Sequence, residues 1–245
     1  MTRTTPSPAV RAATRQGVSV AVATGLYGVS FGALSVAAGI GVLPTMVLSL
    51  LMFSGGSQFA LVGVVAAGGS PLAAVATSAL LGARNTLYGT VVSPLLGARG
   101  PLRLAAAHVT IDESTAVGVA QPDRQAARVG FWTTGIGVFV LWNLFTLAGA
   151  LAGDALGDPR RWGLDAAAAA AFLGLVWPRL APRTAQVAAA VAVVVSAALI
   201  PVVPPGVPVL AAAASAIVVG LWAGRRAGPG EATRVRQVLT REGEA

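Results

Sequence analysis

Between Arg15 and Arg84 the chain carries no charged residue. Drawn as one helix, those 68 residues would be roughly 100 Å long at ~1.5 Å per residue. The hydrocarbon core of a bilayer is only ~30 Å thick. The run must therefore fold back on itself, and two reversals fit its length. The rest of the chain agrees: 11% of its residues are charged and 55% hydrophobic, where soluble domains carry about 25% charged residues. The expected class is an all-α integral membrane protein.

The seventeen basic residues are all arginine, which matches codon bias in a GC-rich genome and carries no mechanistic meaning. A net charge of +8 on a soluble protein points to nucleic acid. Here the arginines sit in tails and short connections, so they report orientation in a membrane. With no cysteine, disulfides, zinc thiolate sites and thiol nucleophiles are excluded. One histidine and no HExxH motif argue against a metal centre. No cofactor is expected. "GGSQ" with the distant His108 faintly resembles an intramembrane serine–histidine pair, but Gln58 stands where the GxSG of such proteases needs its last glycine. The chain is therefore read as a non-enzyme.

Residues 1–16 are polar and basic and read as a cytoplasmic tail; the apolar run after them is too long for a signal-peptide core. Eight hydrophobic segments follow: 17–41, 44–68, 71–96, 102–120, 129–153, 163–178, 184–200 and 207–224. They make one transmembrane domain, residues 17–224, with a charged tail at 225–245 that is expected to be disordered. No sequence repeat is visible, and an inverted structural repeat stays open.

Arginine counting allows two arrangements, both with the termini in the cytoplasm. Eight crossings put Arg99, Arg103, Arg160 and Arg161 outside and twelve arginines inside. That places Arg99 and Arg103 across the membrane from nearby Arg124 and Arg128. If both connections are inside, residues 102–120 are re-entrant, a second segment must be re-entrant too, and six crossings remain. Non-helical backbone at depth is tolerated only where protein or water surrounds it.

Three polar groups lie inside the apolar segments. "HVTIDESTAV" (residues 108–117) holds the only histidine and two adjacent acids. A charge at the bilayer centre costs about 2.5–3.5 kcal/mol on insertion scales. On a continuous helix, His108, Asp112 and Thr115 share a face, with Glu113 about 100° away. These charges either touch water at the interface or serve a transport cavity by holding a substrate amine or a proton. Arg84, in "LLGARNTLYG", must face protein or water, and its natural partners are Asp112 and Glu113. The pair either fixes helix positions or leaves the guanidinium for a substrate carboxylate. Tyr88 shares the face of Arg84, and Asn85 adds an amide. "SGGSQF" places two glycines mid-span, each weakening a helix by roughly 1 kcal/mol against alanine. They permit an unwound break beside Ser54, Ser57 and Gln58. The same residues also suit close packing around a hydrogen-bonded glutamine. Asp165, near the start of its segment, reads first as an acid favourably placed at a helix N-terminus.

Four stretches resemble the AzlC family of branched-chain amino-acid exporters. "SGGSQFALVG" is similar to the family's "AGASQF" segment, "ARNTLYGTVVSPLL" to its "RHxLYG…P" segment, "TIDESTAV" to its "TDE" segment, and "GLDAAAAAAFLGLV" to its later "LDFALPAMF"-like helix. They fall in the family's order over residues 17–224. The resemblance implies efflux of valine, leucine, isoleucine and similar amino acids, with a small membrane partner of the AzlD type. Carried over by position are Ser57, Gln58, Phe59, Arg84, Tyr88, Gly89, Asp112, Glu113 and Asp165. Two departures matter. Where the family often has histidine after the arginine, this chain has Asn85, which cannot titrate. Any coupling proton the histidine carries then falls to His108, Asp112 or Glu113. Ile111 also interrupts the "TDE" pattern.

The expected function is secondary export of branched-chain or other small hydrophobic amino acids across a bacterial cytoplasmic membrane. It would be ion- or proton-coupled, since no ATP-binding motif is present. The alternative is a non-transporting scaffold or partner subunit whose buried charges only lock helix packing.

Overall fold

A computed structural model describes residues 6–156, 173 and 176–226. Asp165 and both tail ends, and with them most of segment 163–178, fall outside the described residues. Among the described residues every regular element is helical. The chain forms two units, 1–173 and 174–245.

In the first unit, α1 (Pro8–Leu26) and α2 (Gly28–Ala37) form one apolar path with a tightened turn at Tyr27. It packs along α8 (Arg124–Leu156), and the contact is made of small residues. Gly17 faces Thr133 and Thr134, Ala21 meets Gly137, Gly25 faces Leu141, Gly28 faces Trp142, and Gly32 faces Thr146 and Ala150. Residue numbers rise together on both sides, so the two paths run parallel. Small residues at this spacing let backbones approach closely, which is how helices associate in lipid without a hydrophobic drive. A Cβ on Gly32 would overlap the Thr146 carbonyl oxygen, and one on Gly149 would overlap that of Val29.

Between them in sequence come α3 (Val42–Leu51), α4 (Gly55–Ala66), α5 (Pro71–Leu96), α6 (Pro101–His108) and α7 (Asp112–Val119). α5 has 26 residues, about 39 Å. It ends at Gly97, which takes a left-handed φ of 59° as its cap. At that end Arg124 donates to the carbonyls of Leu95 (3.1 Å) and Pro94 (2.9 Å), and Arg128 donates to Leu95 (3.2 Å). The C-terminus of α5 thus lies level with the N-terminus of α8. The N-terminus of α1 is there too: Ala13 packs with Ala126, and Gln121 donates to Gln16. Arg11, Arg15, Arg99, Arg103, Arg124 and Arg128 therefore gather at one end of the unit.

This decides the path of residues 102–120. α6 leaves the arginine end and reaches His108, whose ring meets Phe139. α7 returns antiparallel to α8, with Val109 at Gly135, Val117 at Gly130 and Gly118 at Phe131. Each half has eight residues, about 12 Å. The segment is a re-entrant hairpin, so the eight-crossing arrangement with Arg99 and Arg103 on the opposite side is corrected. Segment 44–68 is its counterpart from the other end. α3 runs from the far end towards the middle, with Ser49 at Thr146 and Phe53 at Phe139. α4 then turns back beside α5, with Ser57 against Gly82, and joins it through a short turn. A long helical path plus a broken hairpin (α1–α2, α3–α4) is followed by the same pair in the opposite sense (α5, α6–α7), and α8 closes the unit. This is an inverted repeat without sequence similarity.

In the second unit, a 3₁₀ turn at Trp177–Leu180 precedes α9 (Arg183–Leu199) and α10 (Val207–Arg226). The two helices pack together; Ser196 donates to the Pro208 carbonyl across the proline-rich turn. No residue of α9 is buried, and apolar Val193 and Val194 face outward, as lipid contact requires.

The absence of cysteine makes the topology directly testable. Single cysteines at Ala98 and Ala120 should label from the same side of the membrane as one at Ala12, and one at Gly69 from the opposite side. Opposite-side labelling of Ala98→Cys and Ala120→Cys would refute the hairpin. Gly32→Leu should lower the melting temperature of detergent-solubilised protein, since overpacking costs about 1–3 kcal/mol. Gly63→Ala, with open space at its Cβ, should not.

Candidate functional site

The tips of the two hairpins meet at mid-depth. The first is a three-residue break, Met52, Phe53 and Ser54; the second is Val109, Thr110 and Ile111. The break expected around Gly55 and Gly56 falls just before them, and the glycines open α4. Gly55 lies close under the ring of Trp142, 3.2 Å from where its Cβ would stand, so a side chain there would press on that ring. His108 and Asp112 do not share a helical face as the sequence spacing suggested, because the second break separates them.

Side chains satisfy the broken backbone. Gln58, fully buried, donates from Nε2 to the carbonyls of Met52 (2.9 Å) and Leu48 (3.3 Å), which end α3. Ser114 accepts from the Ile111 N–H (3.0 Å) and donates to the Val109 carbonyl (2.7 Å). Thr110 donates to the Ala106 carbonyl (2.7 Å). Gln58 thus acts as a cap on α3.

Arg84 meets Asp112: Nη2 to Oδ2 is 2.7 Å, with the Asp112 side chain 7% exposed and that of Arg84 29%. The pair ties the middle of α5 to the first residue of α7. An acid there also faces the positive end of the helix dipole. Glu113 and Tyr88 are half-buried near the pair along their helices.

Two cavities flank the tips. One, of ≈350 Å³, has an apolar wall that includes Leu51, Phe53, Leu61, Val75 and Ala79, and polar groups from Ser54, Ser57, Ser78, Asn85, His108 and Thr110. Ser57 donates to Ser54 (3.2 Å), and both stand at the N-terminus of α4, which presents the positive end of its dipole. The His108 ring lies 6.0 Å from that of Phe53 and 5.4 Å from that of Phe139. The other cavity, of ≈640 Å³, runs from Asn85 and Thr86 along α5 to Pro94, Ala98 and Arg103 at the arginine end. Ser54, Ser57, Asn85 and His108 line the smaller cavity; Arg84, Asp112, Glu113, Tyr88 and Gln58 line neither. Among the described residues no cluster suited to a metal ion occurs.

Sequence reasoning passed over Phe53, Ala107 and Thr110 as site residues. No local pattern announced the second break: Val109, Thr110 and Ile111 are three β-branched residues in a row, but so are Val193, Val194 and Val195 inside α9.

The model of a family described as AzlC protein matches residues 19–156, a stretch that begins in α1 and ends with α8. No curated protein matches the chain, and no solved structure does.

Arg84→Gln and Asp112→Asn should each lower the melting temperature, because breaking a partly buried pair strands the other charge. The double variant should lose less than the sum of the two. A coupling of about 1–3 kcal/mol in the double-mutant cycle is expected; strict additivity would show that the pair is not a lock.

Proposed function

The chain belongs to the AzlC family, which is associated with branched-chain amino-acid transport, and we propose that it is a secondary exporter of branched-chain or similar small hydrophobic amino acids. It is a membrane protein. In this reading it sits in the cytoplasmic membrane, with the arginine end inside as the positive-inside rule favours.

The observation that carries the reading is the composition of the smaller cavity. Its volume lies in the range of small-molecule sites. One wall is aliphatic and aromatic, suited to an apolar side chain. The other brings hydroxyls, an amide and the α4 N-terminus to the height of the hairpin tips. That combination suits the zwitterionic head of an amino acid, as half-helix ends at mid-depth do in transporters. The charged pair stays outside both cavities, so the reading assigns Arg84 and Asp112 to holding the tip. His108 is the titratable side chain on the cavity wall and is the candidate for coupling to a proton. A small membrane protein of the AzlD type is the proposed partner. The chain performs no chemistry in this reading and needs no cofactor.

Cells loaded with a leucine-containing dipeptide should release leucine faster when the chain and its small partner are expressed. Ser54→Val should weaken leucine handling roughly tenfold, as loss of a hydrogen bond to a charged group predicts. Efflux unchanged for leucine, valine and isoleucine alike would leave a scaffold with a structural ion pair.

A further inference from the structure

The two cavities share three lining residues: Asn85, Ala107 and Thr110. One cavity reaches the arginine end; the other lies towards the opposite half, against Leu51, Leu61 and Val75. The three residues therefore form the waist between them. We propose that this waist is the inner gate of the transport path, and that the methyl group of Ala107 sets its bore. The inference rests on the exporter reading above and deepens it.

The two sides of the waist differ in how they are held. Asn85 follows Arg84, whose guanidinium grips Asp112 at the start of α7. α7 in turn lies along α8 through Gly118 and Gly130, where a Cβ would stand only 3.1–3.3 Å from the side chains of Val117 and Phe131. This side is fixed. Ala107 lies on α6, eight residues long, of which only Ala106 is buried. α6 is bounded by Gly100, at φ 56°, and by the unwound residues 109–111. A short helix held by Ala106 and by the His108 ring against Phe53 and Phe139, with non-helical joints at both ends, can swing, and hinges are a few element-terminal residues that absorb such a change. Ala107 itself is exposed and lines both cavities. Thr110 has its hydroxyl tied back to Ala106, and Asn85 presents an amide. An alanine here leaves room that a larger side chain would fill.

The test uses the whole chain with its partner in membranes, and the natural lack of cysteine. Ala107→Leu should cut leucine efflux by about tenfold or more, equivalent to ~1.4 kcal/mol on the barrier, at unchanged membrane abundance. Ala107→Ser should keep efflux near that of the unsubstituted chain, which separates bore from folding. Ala107→Cys should react with a membrane-impermeant thiol reagent from the arginine side, and leucine should slow that reaction. Thr90→Cys, on the wall of the larger cavity, should react at a rate leucine does not change. If the unsubstituted chain exports and Ala107→Leu exports equally well, or leucine leaves the Ala107→Cys reaction unaffected, the gate is overturned while the exporter stands. If the unsubstituted chain exports no amino acid, the exporter falls and the gate with it.

Discussion

Backbone that stops being helical inside a bilayer must find its hydrogen bonds in the protein, because lipid offers none. Both hairpin tips are built around that constraint. α3 ends there, and the Gln58 amide reinforces its last carbonyls, donating to Met52 and Leu48 beside the backbone N–H groups of Ser54 and Met52. α6 ends at the same depth, and Thr110 and Ser114 do the equivalent work from hydroxyls. The ion pair of Arg84 and Asp112 belongs to the same solution: it fastens the second tip to the long helix beside it, with the acid at a helix N-terminus. Polar residues that hydropathy marks as anomalies are thus the means by which two interrupted segments exist at all.

The interface of α1–α2 with α8 supplies the rigid frame for those tips. Glycines on both paths bring the helices together over several turns, and a side chain at Gly28, Gly32, Gly149 or Gly153 would meet main-chain atoms that cannot yield. Aromatic rings fill the space between frame and tips: Phe31 and Phe59 pack on Trp142, and Phe53 packs on Phe139. The hairpin tips therefore rest on a fixed wall from one side, while the cavities lie on the other.

How far this was legible depends on what each residue pattern records. Hydropathy reports how much of a segment is apolar and not whether the chain reverses within it, so residues 44–68 read as a span of full length. The glycines of "SGGSQF" announced the break, and placed it within a few residues, because their effect on a helix is local. The pairing of Arg84 with Asp112 was legible for a different reason: two charges inside lipid have few other partners to choose. The break at 109–111 was obscured by treating "HVTIDEST" as continuous helix, and its β-branched run does not mark it, since Val193, Val194 and Val195 continue α9 unbroken. The direction of residues 102–120 lay half-visible in the closeness of Arg99 and Arg103 to Arg124 and Arg128. It became definite only through the bonds of Arg124 and Arg128 to the end of α5. Which residues line the cavities was not legible, since lining depends on how helices from distant parts of the chain face one another.

The inverted arrangement gives the exporter reading its mechanical sense. Two hairpins that enter from opposite ends and meet tip to tip make a natural barrier at mid-depth, with a cavity on each side of it. Exchanging which side is open then needs only that one hairpin move relative to the frame. In the structure the two hairpins are not equally held. α3 and α4 are locked against α2, α5 and α8 by the Ser49–Thr146 contact, the Gln58 cap and the aromatic cluster. α6 has Ala106 as its one buried residue and the His108 ring against Phe53 and Phe139. The asymmetry singles out α6 as the least-held element of the two hairpins. Asp112 belongs to the same hairpin as α6 but stands at the start of α7, so its pair with Arg84 need not break for α6 to move.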